Sequence, residues 1–507
     1  MTIPEIRALR DGGEIIDAYN ECKSLLDACP IDRATRIEAA WCLKTLSEQA
    51  VKSRDRVRIG VCLDELRTLK LEELGETFMH DRFCWDVAML MNAARDNPAE
   101  HIRTAENMFD RLKRLPFVKQ NRYYSMLVEA FSRVRNGQDV MWLGFTDFMD
   151  WWGFDNLTPD DFQRIATSTP GRTIVSVAER AYTAYYKSLM AQIDGGKRNV
   201  GRIEAFIKRL DTLAAMHGEF AYTLYHKALL LLKLGRKDDA LEAMRPFVKK
   251  KQNDFWVWDV LAETTDDDAI KMSCYCRSLL CRADQKFLGN VRRKLADLLH
   301  KSGDDARAKC EIERIVETYR KEGWRIPAAI ADVARQGWFA EVQSAGDNRQ
   351  FYSEHLAESE HFIFMDTPEV AIMISRYNRE KNICNFVTAD RRRGFFFSKG
   401  IRGMQFREYQ ILHARFAGDL QPDAPVKIVT VKPAPNAAEY ANILYRKTEG
   451  VLRLRDGATY GFVDDIFVDT PLLPGIANGT HVSVAAVLSH SPRRNAWSWK
   501  AIRVTSR

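Results

Sequence analysis

From residue 1 to about 345, apolar residues recur three and four positions apart, the spacing of one face of a helix. Glycine is sparse there and β-branched runs are rare. Ile37-Glu38-Ala39-Ala40-Trp41-Cys42-Leu43 opens one such stretch, and residues 83–94 and 105–112 form a further pair. The pattern breaks near 148–173. Thr158 ahead of Pro159, Asp160 and Asp161 predicts a helix start, since the hydroxyl can cap and the acids suit the positive end of the dipole. Pro170-Gly171 predicts a turn. Trp151 and Trp152 are expected to plug a seam between helical layers, with a ligand platform as the alternative. Beyond residue 368 the period shortens to two. Runs at 370–374, 383–388, 394–398, 410–413 and 426–431 predict five strands, and Pro433-Ala434-Pro435-Asn436 ends the set. A second set follows at 450–454, 460–463, 466–469, 481–488 and 497–504. Five short strands per set fit two small antiparallel β-barrels.

A repeat organises the later helices. Ala228, Gly235 and Ala240 return 34-residue multiples later as Ala262, Ala269 and Cys274, and then as Ala296, Gly303 and Ala308. Small residues at these positions let two helices cross closely, and a glycine relieves the turn between them. The pattern over about 220–320 resembles the tetratricopeptide repeat (TPR), with Trp258 at that family's usual tryptophan position. The second unit has Ala269 in place of the glycine, and the closing proline is missing. The resemblance implies an α-solenoid of helical hairpins with a concave surface for a protein partner.

Charge alters the picture. The net +7 of the 507 residues is unevenly placed: residues 361–507 carry 21 Lys+Arg and 13 Asp+Glu, a balance of +8, and residues 1–360 carry −1. A basic segment beside a neutral one suggests a polyanion-binding surface, with a bias toward solubility as the plain alternative. The hydrophobic fraction of 46% suits folded domains rather than a disordered chain. No run of 18 apolar residues occurs and the first residues lack a signal-peptide pattern, so a cytoplasmic protein without membrane spans is expected. The ten scattered cysteines fit reduced thiols.

Candidate chemistry concentrates in the β segments. Tyr460 and Phe462 alternate on one strand face, and Phe467 follows on the next strand. If those strands are neighbours, three aromatics form an exposed platform on which bases stack. Ala458-Thr459-Tyr460-Gly461-Phe462-Val463 and Asp465-Ile466-Phe467-Val468-Asp469 resemble the two ribonucleoprotein signatures of cold-shock domains, an OB-fold family. Gly479–Val484 and Trp499–Val504 resemble that family's fourth and closing strands, so the resemblance covers about 448–505. Asp464, Asp465 and Asp469 are expected to make this face acidic. In the first set, Arg393-Gly394-Phe395-Phe396-Phe397 follows the order of the first signature, placing Phe395 and Phe397 on one face and Phe396 in the core. Arg391, Arg392, Lys399, Arg402 and Arg407 flank it, and arginine among aromatics suits single strands of nucleic acid. A solvated basic loop beside a buried strand is the alternative.

Neither metal nor catalytic chemistry has a motif. Cys274, Cys276 and Cys281 lack paired C-x-x-C turns and are expected in packing. The histidines, His355 and His361 among them, show no paired spacing, and phosphate-loop, nucleophile-elbow and dinucleotide signatures are missing. Asp266-Asp267-Asp268 reads as a helix cap and Asp464-Asp465 as a hairpin, with metal-dependent nuclease chemistry as the remote alternative.

These readings combine into an α + β chain. A divergent helical region spans 1–215, TPR-like repeats 216–345, a linker 346–368, a first OB-like barrel 369–435 and a second, cold-shock-like barrel 445–507. The expected function is a non-catalytic adaptor without cofactors. Its solenoid holds an unidentified protein partner. Its barrels hold single-stranded RNA, or DNA, by stacking on Phe395, Phe397, Tyr460, Phe462 and Phe467 and by phosphate contacts from Arg391, Arg392, Arg393 and Lys399. The alternative is a protein-interaction scaffold whose barrels dock on another subunit and bind no nucleic acid.

Overall fold

The computed structural model describes residues 1–506 apart from 167–172, 365–366, 400, 402–403, 417–419, 422–423, 427, 435, 456–458 and 492–494. The turn expected at Pro170-Gly171, and the residues Met365, Asp366, Arg402, Pro435 and Ala458, lie outside the described set. The chain divides into two compact units, Met1–Gly235 and Arg236–Arg507.

The first unit is helical. Its helices include Arg33–Ser53, Phe78–Ala93, Pro98–Leu112, Arg122–Phe131, Phe145–Trp152, Val177–Asp194 and Thr223–Lys233. Many begin on a side chain that accepts an otherwise orphaned backbone N–H: Asp32 from Thr35, Asn97 from Glu100, Asn121 from Tyr124 and Ser176 from Glu179. Trp152 is fully buried and stacks on Tyr124 with ring centroids 4.6 Å apart. The Trp152 indole donates to the Tyr124 carbonyl at 3.1 Å, and the Tyr124 hydroxyl donates to the Trp152 carbonyl at 2.9 Å. This pair plugs a helical seam. The helix expected after Thr158 lasts one 3-10 turn, Pro159–Phe162. Asp161 accepts from the Thr158 N–H at 2.7 Å and from the buried Ser125 hydroxyl at 2.8 Å, while the Phe162 ring stacks on His217 at 4.3 Å. These longer-range contacts pin the turn where it starts. The chain then forms a small antiparallel pair, β1 (Ile165–Ala166) and β2 (Thr173–Ile174).

The second unit starts with helices. Phe255–Ala262 pairs with Asp268–Leu280, and Gly289–Lys301 pairs with Asp305–Lys321, the two hairpins beginning one 34-residue period apart. Ala262, Cys274, Ala296 and Ala308 are buried, as close crossing of helices requires. Gly303 sits at φ +84° just past its helix, a left-handed position that favours glycine. Ala269 does not occupy the equivalent turn. It lies inside the first turn of Asp268–Leu280, where Asp267 accepts its N–H at 2.8 Å. The stretch 346–368, expected as a linker, contains two short helices, Arg349–Glu354 and Ala357–Phe364, packed on Asp268–Leu280. Asn348, Tyr352 and Arg292 all hydrogen-bond the fully buried Glu311, with Asn348 at 2.7 Å and Arg292 at 2.6 Å.

Two sheets follow. The first orders its strands β5-β4-β3-β6-β7, where β3 is Val370–Asn378, β4 Ile383–Thr388, β5 Arg393–Phe397, β6 Ile411–Phe416 and β7 Ile428–Pro433. Neighbours are antiparallel. A parallel bridge between Phe395 and Pro425, with the Val426 N–H donating to the Phe395 carbonyl at 2.8 Å, brings the approach to β7 alongside β5. Ile372, Ile374, Cys384, Phe386, Phe396 and Leu412 fill its interior. The second sheet orders β8-β12-β13-β11-β10-β9, where β8 is Tyr445–Val451, β9 Arg453–Leu454, β10 Gly461–Val463, β11 Ile466–Val468, β12 His481–Ser491 and β13 Ala496–Ser506. Only the β11–β13 pair is parallel. β8 and β9 are one run interrupted at Leu452, whose buried side chain joins Val463, Ile466, Val482 and Val484 in the core. That run pairs at both ends of the order, so the sheet closes on itself. Met373 and Val387 point away from the first sheet's core yet are buried, because Leu444, Val487 and Leu488 cover them.

Candidate nucleic-acid interface

The second sheet assembles the expected aromatic platform. Phe462 on β10 lies directly opposite Phe467 on β11, and residues so paired share a face. Tyr460, Phe462 and Phe467 form a triangle with centroids 5.4 to 6.0 Å apart, all three half-buried. Between Tyr460 and Phe462, Gly461 lets β9 approach: a side chain there would place its Cβ 2.8 Å from the Arg453 carbonyl oxygen. The Thr470 hydroxyl donates to the Thr459 carbonyl at 2.6 Å and ties the two ends of this hairpin together.

Register brings in cations that lie far apart in sequence. Arg453 pairs with Phe462 across β9–β10, and Lys500 pairs with Phe467 across β11–β13. The outer face therefore carries one row, Arg453-Phe462-Phe467-Lys500. Arg455 stands beside it and donates to the Tyr460 hydroxyl at 3.1 Å. The expectation of an acidic face is overturned. Asp464 and Asp465 occupy the β10–β11 turn, where Asp465 pairs with Arg446, and Asp469 pairs with Lys500 at 3.2 Å. Arg446 in turn lies over the Trp499 ring at 4.6 Å. Arg453 is exposed and makes no ion pair among the described residues. Arg453, Arg455 and Lys500 were not singled out from sequence because only strand pairing aligns them with the rings.

In the first sheet, Phe396 enters the core while Phe395 and Phe397 face outward, their centroids 6.1 Å apart and Phe397 exposed. Arg393 shares that face, and register adds Asn385 opposite Phe395 and Arg376 opposite Asn385. The other cations do not join them in one cluster. Arg391 and Arg392 sit in the β4–β5 turn and Lys399 lies past the opposite end of β5, roughly 25 Å away at about 3.3 Å per residue. Arg392 pairs with Asp390 at 2.7 Å, and that contact lowers the Asp390 pKa. Arg393–Phe397 is the third strand of its sheet, whereas Phe462, with Tyr460 just ahead of it, belongs to the second strand of its own; the two signature-like stretches are not structurally equivalent.

The remaining motifs are structural. Burial raises the thiol pKa of Cys274 and of Cys276, which disfavours the thiolate a metal needs. In the 266–268 run, Asp267 caps its helix, Asp266 pairs with Lys237 and Asp268 pairs with Lys301. Among the described residues no group of three His, Cys, Asp or Glu side chains could hold a metal ion, and no helix is long and apolar enough to cross a membrane.

Known families match two parts of the chain. Residues 446–504, which span nearly all of the second sheet, match the family described as S1/CSD-like domain 2 of the TOTE conflict systems. Residues 221–359 match a domain of unknown function, DUF7017. No curated protein matches the chain. A helical body is thus followed by two β-sheets, the second of which is S1/CSD-like.

Proposed function

We propose that both sheets are barrels of the OB type and that the outer face of the second binds single-stranded nucleic acid. Strand order supports the barrel assignment: in both sheets the first strand pairs with the second and fourth, and the third runs parallel to the fifth or to its approach. The single observation that carries the binding reading is the row Arg453-Phe462-Phe467-Lys500 with Tyr460 beside it. Aromatic faces take bases and flanking cations take phosphates, which is the recipe for single-strand recognition. RNA is favoured, because proteins recognise it mostly through unstacked bases splayed onto such rings. The aromatic and basic stretch Arg391–Phe397 of the first barrel is a second contact surface in this reading.

In this reading the chain contributes no chemistry of its own. Its helical hairpins are of the TPR type, supported by the 34-residue spacing and the buried small residues, and they hold a protein partner. The conflict-system family matched by 446–504 makes an adaptor in such a system the context we favour.

The test is fluorescence anisotropy of the full chain with short labelled single-stranded RNA and DNA across a salt series. Binding should weaken with salt, and Phe462→Ala or Phe467→Ala should each cost about 1–3 kcal/mol, the worth of one stacked base. If the full chain binds neither RNA nor DNA at low salt, the platform is a protein-docking face and the scaffold alternative replaces this reading.

A further inference from the structure

A cavity of about 640 Å³ in the first unit is lined by Arg95, His101, Arg133, Arg135 and Arg180, together with Pro98, Asn136, Gly137 and Asp139. Four arginines converge on it from three places in the chain. Arg95 precedes the helix Pro98–Leu112, Arg133 and Arg135 follow Arg122–Phe131, and Arg180 lies in the first turn of Val177–Asp194. Two of these charges are compensated: Arg133 pairs with Glu129, and Arg135 pairs with Asp139 at 3.4 Å. The Asp139 side chain is 90% exposed, so its pull is weak. Arg95 and Arg180 have no ion-pair partner among the described residues. The Nε atoms of Arg133 and Arg180 and Nε2 of His101 are buried without a hydrogen-bond partner. Burying a donor unpaired costs about 1–3 kcal/mol, so the empty arrangement is unfavourable and a matching acceptor would relieve it.

We propose that this cavity binds a small ligand through two or more of its phosphate groups. Guanidinium forks match phosphate oxygens two at a time. Two uncompensated charges call for at least a dianion, and the volume lies in the range of small-molecule sites. No phenylalanine, tyrosine or tryptophan lines the cavity to stack a base, and its imidazole, His101, is buried, so phosphate is the recognised part. Burial above all, and then Arg133, pull the Arg180 pKa down against an opposing pull from Glu129, so an anion in the cavity would favour its charged form. The residues are separate from the β-barrel platform, and the proposal stands independently of it.

Isothermal titration calorimetry of the full chain at physiological salt tests this, with pyrophosphate, ATP and phosphate-free adenosine as probes. Pyrophosphate and ATP should bind and adenosine should not. Arg180→Gln and Arg95→Gln should each lower the affinity at least tenfold. The unliganded R180Q chain should melt no lower than the parent, because a repelling charge has gone. Arg95 is exposed at the rim, so R95Q carries the test if R180Q does not fold. The double variant Phe462→Ala, Phe467→Ala should leave pyrophosphate binding unchanged. The proposal is overturned if neither phosphate probe binds at millimolar concentration, if adenosine binds as well as ATP, or if both arginine variants bind as the parent does. Binding of single-stranded RNA that R180Q abolishes, with no binding of pyrophosphate or ATP, also overturns it.

Discussion

Three buried histidines in the first unit make its stability depend on pH. Burial pulls His226 down to about 3 and, helped by Arg95 and Arg135, pulls His101 down to about 4; it also lowers His80. A histidine depressed in the folded state costs nothing above its unfolded pKa near 6.5. Below that value the unfolded chain takes up protons the folded chain refuses, and stability falls until the folded pKa is reached. At about 1.4 kcal/mol per pH unit, His226 and His101 should each remove about 2 kcal/mol by pH 5. Denaturant midpoints between pH 7 and 4 should show this loss, and His226→Gln should flatten it; an unchanged slope in that variant would disprove the assignment. The Glu311 cluster is a second residue-scale test. Arg292→Met leaves a fully buried carboxylate without its main partner and should cost about 3–5 kcal/mol in urea unfolding. Among the arginines before β5, Arg392→Ala should weaken RNA binding least, because Asp390 already neutralises Arg392.

At the scale of elements, the hairpin turns of the second unit reach similar crossings by different means. Gly303 ends its helix in the left-handed region, so Gly303→Ala should cost about 1 kcal/mol. The corresponding turn before Asp268–Leu280 lacks the glycine, although both second helices start on an aspartate cap, Asp267 and Asp304. Ala269→Gly restores the repeat pattern on paper but places glycine inside a helix, and should destabilise by up to about 1 kcal/mol. Equal and opposite shifts in the two variants' urea midpoints would mean that the repeat register, not the cap, governs this turn. The strands were legible because alternation is a local signal: four of the five first-sheet strands begin within one residue of the expected positions. The helix after Thr158 was not, because Ser125 and His217, distant in sequence, stop it after one turn.

For the whole molecule, the consequence of the platform is a salt dependence. Each phosphate neutralised releases condensed counterions, so Arg453→Gln should lower the slope of log affinity against log salt by roughly one. Lys500 is already paired with Asp469, so Lys500→Gln should lower it less. Anisotropy titrations over the same salt series decide both points; slopes equal to the parent's would remove these cations from the interface.

Local pattern alone determined the helical body, the position of nearly every strand, and the alternation that turns Tyr460, Phe462, Phe395 and Phe397 outward. Those features depend on side-chain periods of 3.6 and 2, which the order of residues contains. Only the tertiary structure decided which charges accompany the rings. Arg453 and Lys500 meet Phe462 and Phe467 through strand pairing, one of those pairs being parallel and joined by a long connection. The same pairing and packing place Asp465 on Arg446 and Asp469 on Lys500, and so remove the acidic face that composition implied. The arginine cavity was hidden for the same reason: its charges come from three separate segments, which only the packing of the helices brings to one place.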